Sequence, residues 1–164
     1  MPLTDLTIHD EQFGEVIDRH ERWLNGDADG ERAVLNRVEV SHQCLSSRDL
    51  SYAILRHCFI SFTDFDACRL RNTDLAGSYL IRMNLDDTDL AGCDLSSTTI
   101  KHIVLSRSDL LDINRGNALV EDIIVRDIDI RDHDWHWLYP ACRDPSIVGD
   151  PSWKTSITLM PASQ

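Results

Sequence analysis

The chain has 164 residues and a formal net charge of −12, from 28 acidic and 16 basic side chains. This length fits one domain. The excess of acidic side chains argues against sequence-independent binding of nucleic acid, because such binding depends on contacts of Lys and Arg with phosphates. Hydrophobic residues make up 42% of the chain, a share that supports a packed core and argues against disorder.

The sequence carries no feature of a membrane or secreted protein. No apolar run approaches the roughly 20 residues that a membrane-spanning helix needs, and residues 1–6 lack the basic start and apolar stretch of a secretory signal. The five cysteines are an odd number without a C-x-x-C pair, which disfavours a disulfide scaffold or a zinc ribbon. We therefore expect a cytoplasmic protein with reduced thiols.

The first segment, residues 1–32, is predicted to contain one helix. Asp10 is a suitable helix cap, and Asn25-Gly26 is a suitable helix end. Between them, residues recur on one side at helical spacing, namely Phe13, Val16, Ile17, His20, Trp23 and Leu24. We expect an amphipathic helix over about residues 10–25 that caps the structure formed by the rest of the chain.

A strict five-residue register runs through residues 33–137. Between Leu35 and Trp135, every residue whose number is divisible by five is apolar except Arg115. Neither the 3.6-residue period of a helix nor the 2-residue period of a strand explains a period of five. The chain must form a coil whose sides are each five residues long. Its predicted core columns are Leu55, Leu75, Leu95, Ile60, Leu80, Ile100, Phe65, Leu85, Leu105, Leu70, Leu90 and Leu110.

A second column of mostly small or apolar residues lies two positions before each core residue, and Asp or Asn often stands between the two. This unit, as in Thr73-Asp74-Leu75 and Cys93-Asp94-Leu95, resembles the pentapeptide-repeat family. The resemblance implies an all-β solenoid, a right-handed quadrilateral β-helix of about five turns. With turns spaced by about 4.8 Å, the tower would be roughly 24 Å tall.

Three residues depart from the inward pattern. Gln43 and Arg48 occupy small-column positions, and Arg115 stands where a core residue is expected. An unpaired Arg in an apolar core is too costly, so we expect a local bulge at residues 114–117 with Arg115 turned outward.

The last segment, residues 138–164, is predicted to be an irregular tail. Its four prolines rule out a long helix, and residues 154–160 could form one short strand. We expect the tail to cover the far end of the tower or to contact a second subunit. The segments 1–32, 33–137 and 138–164 would together form one structural domain.

No motif in the sequence predicts catalysis, a cofactor or a metal. A phosphate loop, a nucleophile elbow and a His-Glu-x-x-His motif are all missing. His133, His136 and Cys142 provide an incomplete ligand set, so we favour a corner of the last turn for this cluster. Cys58, Cys68 and Cys93 lie in the small column and are interpreted as buried structural thiols. We expect a protein that is not an enzyme.

Outward residues that are 20 positions apart in the sequence lie on the same side of a four-sided coil. Grouping them in this way gives one apolar side and one acidic side. One side carries Glu39 and Thr99 together with the candidate apolar interaction face, which consists of Phe59, Phe62, Tyr79, Ile81 and Leu119. Exposed apolar patches usually mark contacts. The occupant stays open between a second copy in a homodimer, a protein partner and the chain's own terminal segments.

The candidate acidic face consists of Asp49, Asp89, Asp109, Asp112, Asp129 and Asp132, with Arg69 among them. Some members of the resembled family imitate DNA in shape and charge and bind DNA gyrase in its place. Residues 33–137 hold 17 acidic and 11 basic residues, a net charge of −6. B-DNA of 24 Å carries about 14 negative charges, so this tower falls well short. Asp at the middle position can instead be a structural preference of the repeat.

These observations favour a non-enzymatic scaffold of bacterial type that binds an unidentified protein. The runner-up is a DNA-mimicking binder of a type II topoisomerase, which would inhibit or protect DNA gyrase. A third reading is a phage-encoded or secreted effector on the same scaffold. None of the three requires direct nucleic acid binding or a membrane.

Overall fold

The computed structural model describes residues 10–126, which form one helix followed by short parallel strands. Helix α1 spans Asp10–Asn25. The ten strands are β1 Val34–Asn36, β2 Glu39–Ser41, β3 Ile54–Arg56, β4 Phe59–Ser61, β5 Tyr79–Ile81, β6 Asn84–Asp86, β7 Thr99–Lys101, β8 Val104–Ser106, β9 Leu119–Glu121 and β10 Ile124–Arg126. Of the described residues, no helix has the length and apolar character to cross a membrane.

Each strand pairs in parallel with a strand one turn away on the same side, as Glu39 pairs with Phe59 and Phe59 with Tyr79. One side is a continuous sheet of five strands, in the order β2-β4-β5-β7-β9. Two further sides carry the sets β1-β3 and β6-β8-β10 together with single bridges. The fourth side is bridged from Asp49 through Arg69 to Asp89 and beyond. The predicted β-solenoid with four-sided turns is confirmed.

The described residues build four complete turns and three sides of a fifth. The predicted end of the tower, residues 127–137, and the predicted tail, residues 138–164, lie outside the described residues. The core columns fill the interior, because every residue in the predicted list is only 2% to 7% exposed. Burying a Leu or Ile side chain contributes about 1.5–3 kcal/mol, so the stacked columns supply most of the stability.

The small column does more than leave room for the large one. The Thr73 hydroxyl donates a 2.8 Å hydrogen bond to the main-chain oxygen of Leu50, 23 residues earlier. Ser78 does the same to Leu55 at 2.7 Å. The same contact recurs at other members of the column, namely Cys68, Thr88, Cys93, Thr98 and Ser108. Each of these side chains therefore has a partner, as burial of a polar group requires.

The corners explain why Asp and Asn occupy the middle position. At Asp74, Asp89 and Asp94, the carboxylate accepts a hydrogen bond from the amide two residues later, at 2.9–3.2 Å. This local contact is the Asx-turn that these short side chains favour. The corner residues themselves are left-handed, with φ near +50° to +65° at positions such as Ala67 and Asn72. The aspartates at these positions thus have a structural role in their turns.

Helix α1 covers the first turn with most of the face that the sequence predicts. Phe13, Ile17 and His20 are buried, at no more than 2% exposure, whereas Trp23 is 37% exposed. The helix ends at a left-handed Gly26 (φ 82°), where the Gly26 and Asp27 amides donate to the carbonyls of Trp23 and Arg22. This pair of bonds is a Schellman motif, and it agrees with the predicted end at Asn25-Gly26.

Arg48 departs from the inward pattern because it anchors this helix. Its guanidinium binds Glu21 through two hydrogen bonds of 2.9 Å and forms an ion pair with Asp18. Glu21 also accepts the Asp49 amide at 3.0 Å. Hydrogen bonding to Glu21 raises the pKa of Arg48. The small-column position is open to an arginine here, since the helix lies beside the first turn.

The bulge predicted at residues 114–117 is wrong. Asn114 still bridges Asp94, and Leu119 still pairs with Thr99, so no residue is inserted into the ladder. Arg115 is exposed, as predicted. The turn adapts through Gly116 (φ 43°), which is left-handed one position earlier than the neighbouring corner residues. A Cβ on Gly116 would lie 2.7 Å from that of Ser96, so only glycine fits.

Candidate protein-interaction surface

The five-stranded sheet presents one continuous outer face, which we call the aromatic face and define by its central row: Glu39, Phe59, Tyr79, Thr99 and Leu119. The rings of Phe59 and Tyr79 lie 6.3 Å apart and are tilted by 35°. Tyr79 is 39% exposed and Leu119 is 64% exposed, whereas Phe59 and Ile81 are partly buried. The described residues therefore leave this face open to solvent.

A second row of side chains runs down the corner beside the aromatic face. This corner column consists of His42, Phe62, Arg82, His102 and Asp122, which are all left-handed. The rings of His42 and Phe62 stack with centroids 4.9 Å apart and planes 7° apart. The Arg82 guanidinium carbon lies 5.2 Å from the Phe62 ring centroid. Phe62 remains 46% exposed despite both contacts.

The lower part of the same surface is made of ion pairs. Lys101 contacts Glu121 at 2.7 Å, and the His102 ring contacts the Asp122 carboxylate. Arg82 differs from these neighbours, because within residues 10–126 it lies within ion-pair distance of no carboxylate. The five-residue register predicted Phe62 on this side, but it did not single out His42 or Arg82. These residues occupy the same position in successive turns, and that register is the signal that could have found them.

The structure brings four of the candidate acidic residues to the fourth side. Asp49, Asp89 and Asp109 lie in one row, and Asp112 is exposed at the adjoining corner. Asp129 and Asp132 lie outside the described residues. Arg69 lies 3.5 Å from Asp49. Arg71 binds Asp89 and lies 3.7 Å from Asp109. The row is thus largely neutralised.

Three further carboxylates, which no sequence pattern singled out, lie on the side between the aromatic face and the row of Asp49, Asp89 and Asp109. Asp66, Asp86 and Asp87 bring oxygens within 4.8 Å of one another. Arg107 binds Asp86 and Asp87 at 2.8 Å, and its hydrogen bond lowers the pKa of Asp87. An arginine therefore supplies positive charge here. The metal-site candidates His133, His136 and Cys142 lie outside the described residues.

The buried thiols are poor candidates for chemistry. Cys68 and Cys93 have no exposed surface, and burial raises the pKa of each to about 12. Burial likewise raises the pKa of Cys58. Because the thiolate is the reactive form, these three side chains serve as small core residues that donate hydrogen bonds.

A family model described as pentapeptide repeats, in eight copies, matches residues 44–80 and 68–110. These are the residues whose register and turn-to-turn pairing define the solenoid. Over residues 44–110 the chain has the repeat of the pentapeptide-repeat family. Among curated protein sequences, none matches this chain significantly.

Solved structures similar to this chain include pentapeptide-repeat proteins. Rfr23 from the cyanobacterium Cyanothece 51142 is 24% identical, with a TM-score of 0.38 over 57% of this chain and 61% of Rfr23. The chain thus spans less than two thirds of that protein. A thylakoid-lumen protein of Arabidopsis thaliana is 18% identical (TM-score 0.30; 60% and 76% covered). QnrB1, a plasmid-mediated fluoroquinolone resistance protein, is 13% identical (TM-score 0.34; 80% and 84% covered).

Proposed function

We propose that this protein is a non-enzymatic scaffold that binds a partner protein through its aromatic face. The observation that carries the proposal is the exposure of Tyr79, Leu119 and Phe62 on one rigid surface. Contiguous exposed apolar side chains usually mark a contact site. The sheet holds them in place through main-chain hydrogen bonds between turns, so no ordering cost falls on the backbone when a partner binds.

The size of the face favours a different protein over a second copy. Five strands at about 4.8 Å spacing, each with three residues of about 3.3 Å, give a flat area of about 240 Å². A stable interface buries about 800 Å² on each partner. Two rigid towers that meet on this face alone would bury much less area than a stable interface needs. A flexible partner can bury more, because it can also reach the neighbouring sides.

The acidic side supports DNA mimicry less well. Mimicry depends on a dense, unbroken negative field. Here Arg69 and Arg71 neutralise the row of Asp49, Asp89 and Asp109. The aspartates also have a structural role in their turns, so their presence needs no ligand.

Photocrosslinking tests the proposal. A photoreactive phenylalanine analogue in place of Tyr79, in the chain expressed in its native host, should yield one dominant protein adduct. The same analogue in place of Asp112, which is exposed on the acidic side, is the matched control and should give none. Equal adducts at both positions, or none at either, would contradict the proposal. An adduct of twice the chain mass would identify a second copy as the occupant.

A further inference from the structure

We infer that the corner column beside the aromatic face recognises a carboxylate-bearing, aromatic segment of the partner, with Arg82 as the anion-binding group and Phe62 as its platform. This inference rests on the proposed function and names the chemistry of the partner. It starts from the stack of His42, Phe62 and Arg82 over three successive turns.

Arg82 differs from the other arginines on the outer faces of the middle turns. Arg56, Arg69, Arg71 and Arg107 each contact an aspartate of the chain, whereas Arg82 contacts the Phe62 ring. Among the described residues, no carboxylate lies within ion-pair distance of Arg82. A guanidinium that lies over a ring can still direct N–H groups to a carboxylate. Arg82 is therefore available for a bidentate contact with a partner carboxylate.

The surroundings of Arg82 favour an acidic segment that also carries aromatic side chains. Phe59 and Tyr79 lie on the adjacent face, with ring centroids 6.3 Å apart. Partner rings can pack against these in offset or edge-to-face geometry. A partner carboxylate would meet Arg82 at the corner, beside the partly exposed Phe62 ring. The row of Phe59 and Tyr79 and the column of Phe62 and Arg82 run side by side over the same turns, so one segment lying along both can make the two kinds of contact.

The dimensions and the charge of the tower limit the occupant further. A seven-residue extended segment is about 23 Å long, which matches the height of the five layers. A polyanion such as single-stranded nucleic acid would also carry phosphates for Arg82. The net charge of −12 opposes its approach, because like charges repel over about a Debye length. A heptapeptide with alternate carboxylates carries about four negative charges, so it meets the same repulsion more weakly than a strand with one phosphate at every nucleotide.

A titration of the isotopically labelled full chain tests this inference. The probe is a synthetic heptapeptide of alternating Glu and Phe, and the comparison probes are the Lys-for-Glu peptide and a short oligothymidylate. We expect the acidic peptide to shift amide resonances in residues 59–62 and 79–82. The Lys peptide should bind at least about tenfold more weakly, the difference that a charged hydrogen-bonded pair makes. Equal binding of both peptides, or tighter binding of the oligonucleotide, would overturn the inference.

Two variants make the test specific to the corner column. Arg82→Gln removes the guanidinium, and Phe62→Asn removes the platform while supplying a residue that tolerates the left-handed φ of 51°. Each variant should bind the acidic peptide about fivefold to tenfold more weakly than the wild type does. Arg37→Gln is the matched control, since Arg37 is also exposed at a left-handed corner (φ 59°). It should change the affinity by less than about twofold.

The outcomes separate this inference from the proposed function. If Tyr79 still crosslinks one partner in the Arg82→Gln variant with undiminished yield, the scaffold stands and the corner column is not its anion-binding site. If the peptide binds at residues 59–82 but no partner crosslinks at Tyr79, the proposed function fails although the chemistry of the surface holds. Retained affinity in both the Arg82→Gln and Phe62→Asn variants overturns the inference outright.

Discussion

The buried imidazole of His20 donates a 3.1 Å hydrogen bond from Nε2 to the main-chain oxygen of Ser51. Its other nitrogen, Nδ1, accepts the Ala33 amide at 3.1 Å. Nδ1 therefore carries no proton, and the ring must be neutral. A single side chain thus joins helix α1 to the first turn and, through Ser51, to the start of the next.

We expect the burial of this ring to make the protein less stable at mildly acidic pH. Burial lowers the pKa of His20 below its ordinary 6.5, although the hydrogen bond to Ser51 and the nearby Asp49 and Glu21 oppose the effect and Arg32 adds to it. Above pH 6.5 both folded and unfolded chains hold a neutral ring. As the pH falls through 6.5, only the unfolded chain takes up the proton, and the free energy of unfolding decreases by up to about 1.4 kcal/mol per pH unit.

Denaturant melts at pH 8, 7, 6 and 5.5 check this expectation. His20→Gln is the control, because its neutral amide does not titrate. The His20→Gln variant should be less stable than the wild type at pH 8, but its free energy of unfolding should not decrease further between pH 7 and pH 5.5. If the two chains show the same slope with pH, another group is responsible.

Helix docking should depend on Arg48 more than on a typical surface arginine. Arg48→Gln removes the bonds to Glu21 and Asp18, with Arg48 only 30% exposed. We expect a loss of about 1–2 kcal/mol. Arg69→Gln is the matched control: its pair with Asp49 is longer, at 3.5 Å, and Arg69 is 70% exposed, so its loss should stay below about 0.5 kcal/mol. Thermal or urea unfolding measures both, and equal losses would contradict the anchoring role.

The three core thiols should not react while the protein is folded. In a Cys44→Ser, Cys142→Ser variant, only Cys58, Cys68 and Cys93 remain. With a pKa of about 12 for Cys68 and Cys93, thiolate is scarce at pH 8, and burial blocks the reagent. We expect Ellman's reagent to detect no thiol in the native protein and all three in denaturant. Fast labelling of the native protein would show that the core opens locally.

The small column should be sensitive to the loss of a donor, even when shape is kept. Thr73→Val is nearly isosteric but removes the hydroxyl that donates to Leu50. We expect a cost of about 1 kcal/mol in urea unfolding. Thr73→Cys places at residue 73 a side chain that the column already uses at Cys68 and Cys93, and its cost should be smaller. A Val variant as stable as the wild type would mean that size alone selects this column.

The acidic side should not act as a DNA mimic. We expect purified chain in excess to leave supercoiling by DNA gyrase unchanged, because Arg69 and Arg71 neutralise the row of aspartates. A double variant, Arg69→Gln with Arg71→Gln, removes two positive charges from that row and tests whether these pairs account for the result. Inhibition by the wild-type chain near stoichiometric concentration would reverse this conclusion.

Much of the fold could be predicted because the repeat is local in sequence. The spacing of Leu75, Leu80 and Leu85 shows the core columns without knowledge of any distant contact. Sorting the outward positions turn by turn likewise brought Phe59 and Tyr79 together, as the sheet does. The role of Gly116 could not be predicted in this way. The turn beside Arg115 needs a glycine because Ser96, one turn earlier, leaves no room for a Cβ.

The amino-acid sequence by itself determined the coil, its inward columns, the helix that covers one end and the sides on which the aromatic and acidic residues lie, since all of these follow from periodicity. Only the tertiary structure decided which side-chain ends meet. Arg48 reaches Glu21 of the helix, Arg71 neutralises Asp89, and Arg82 lies over Phe62. These contacts depend on distances of a few ångströms between side chains 18 to 27 residues apart, which a period in sequence does not contain.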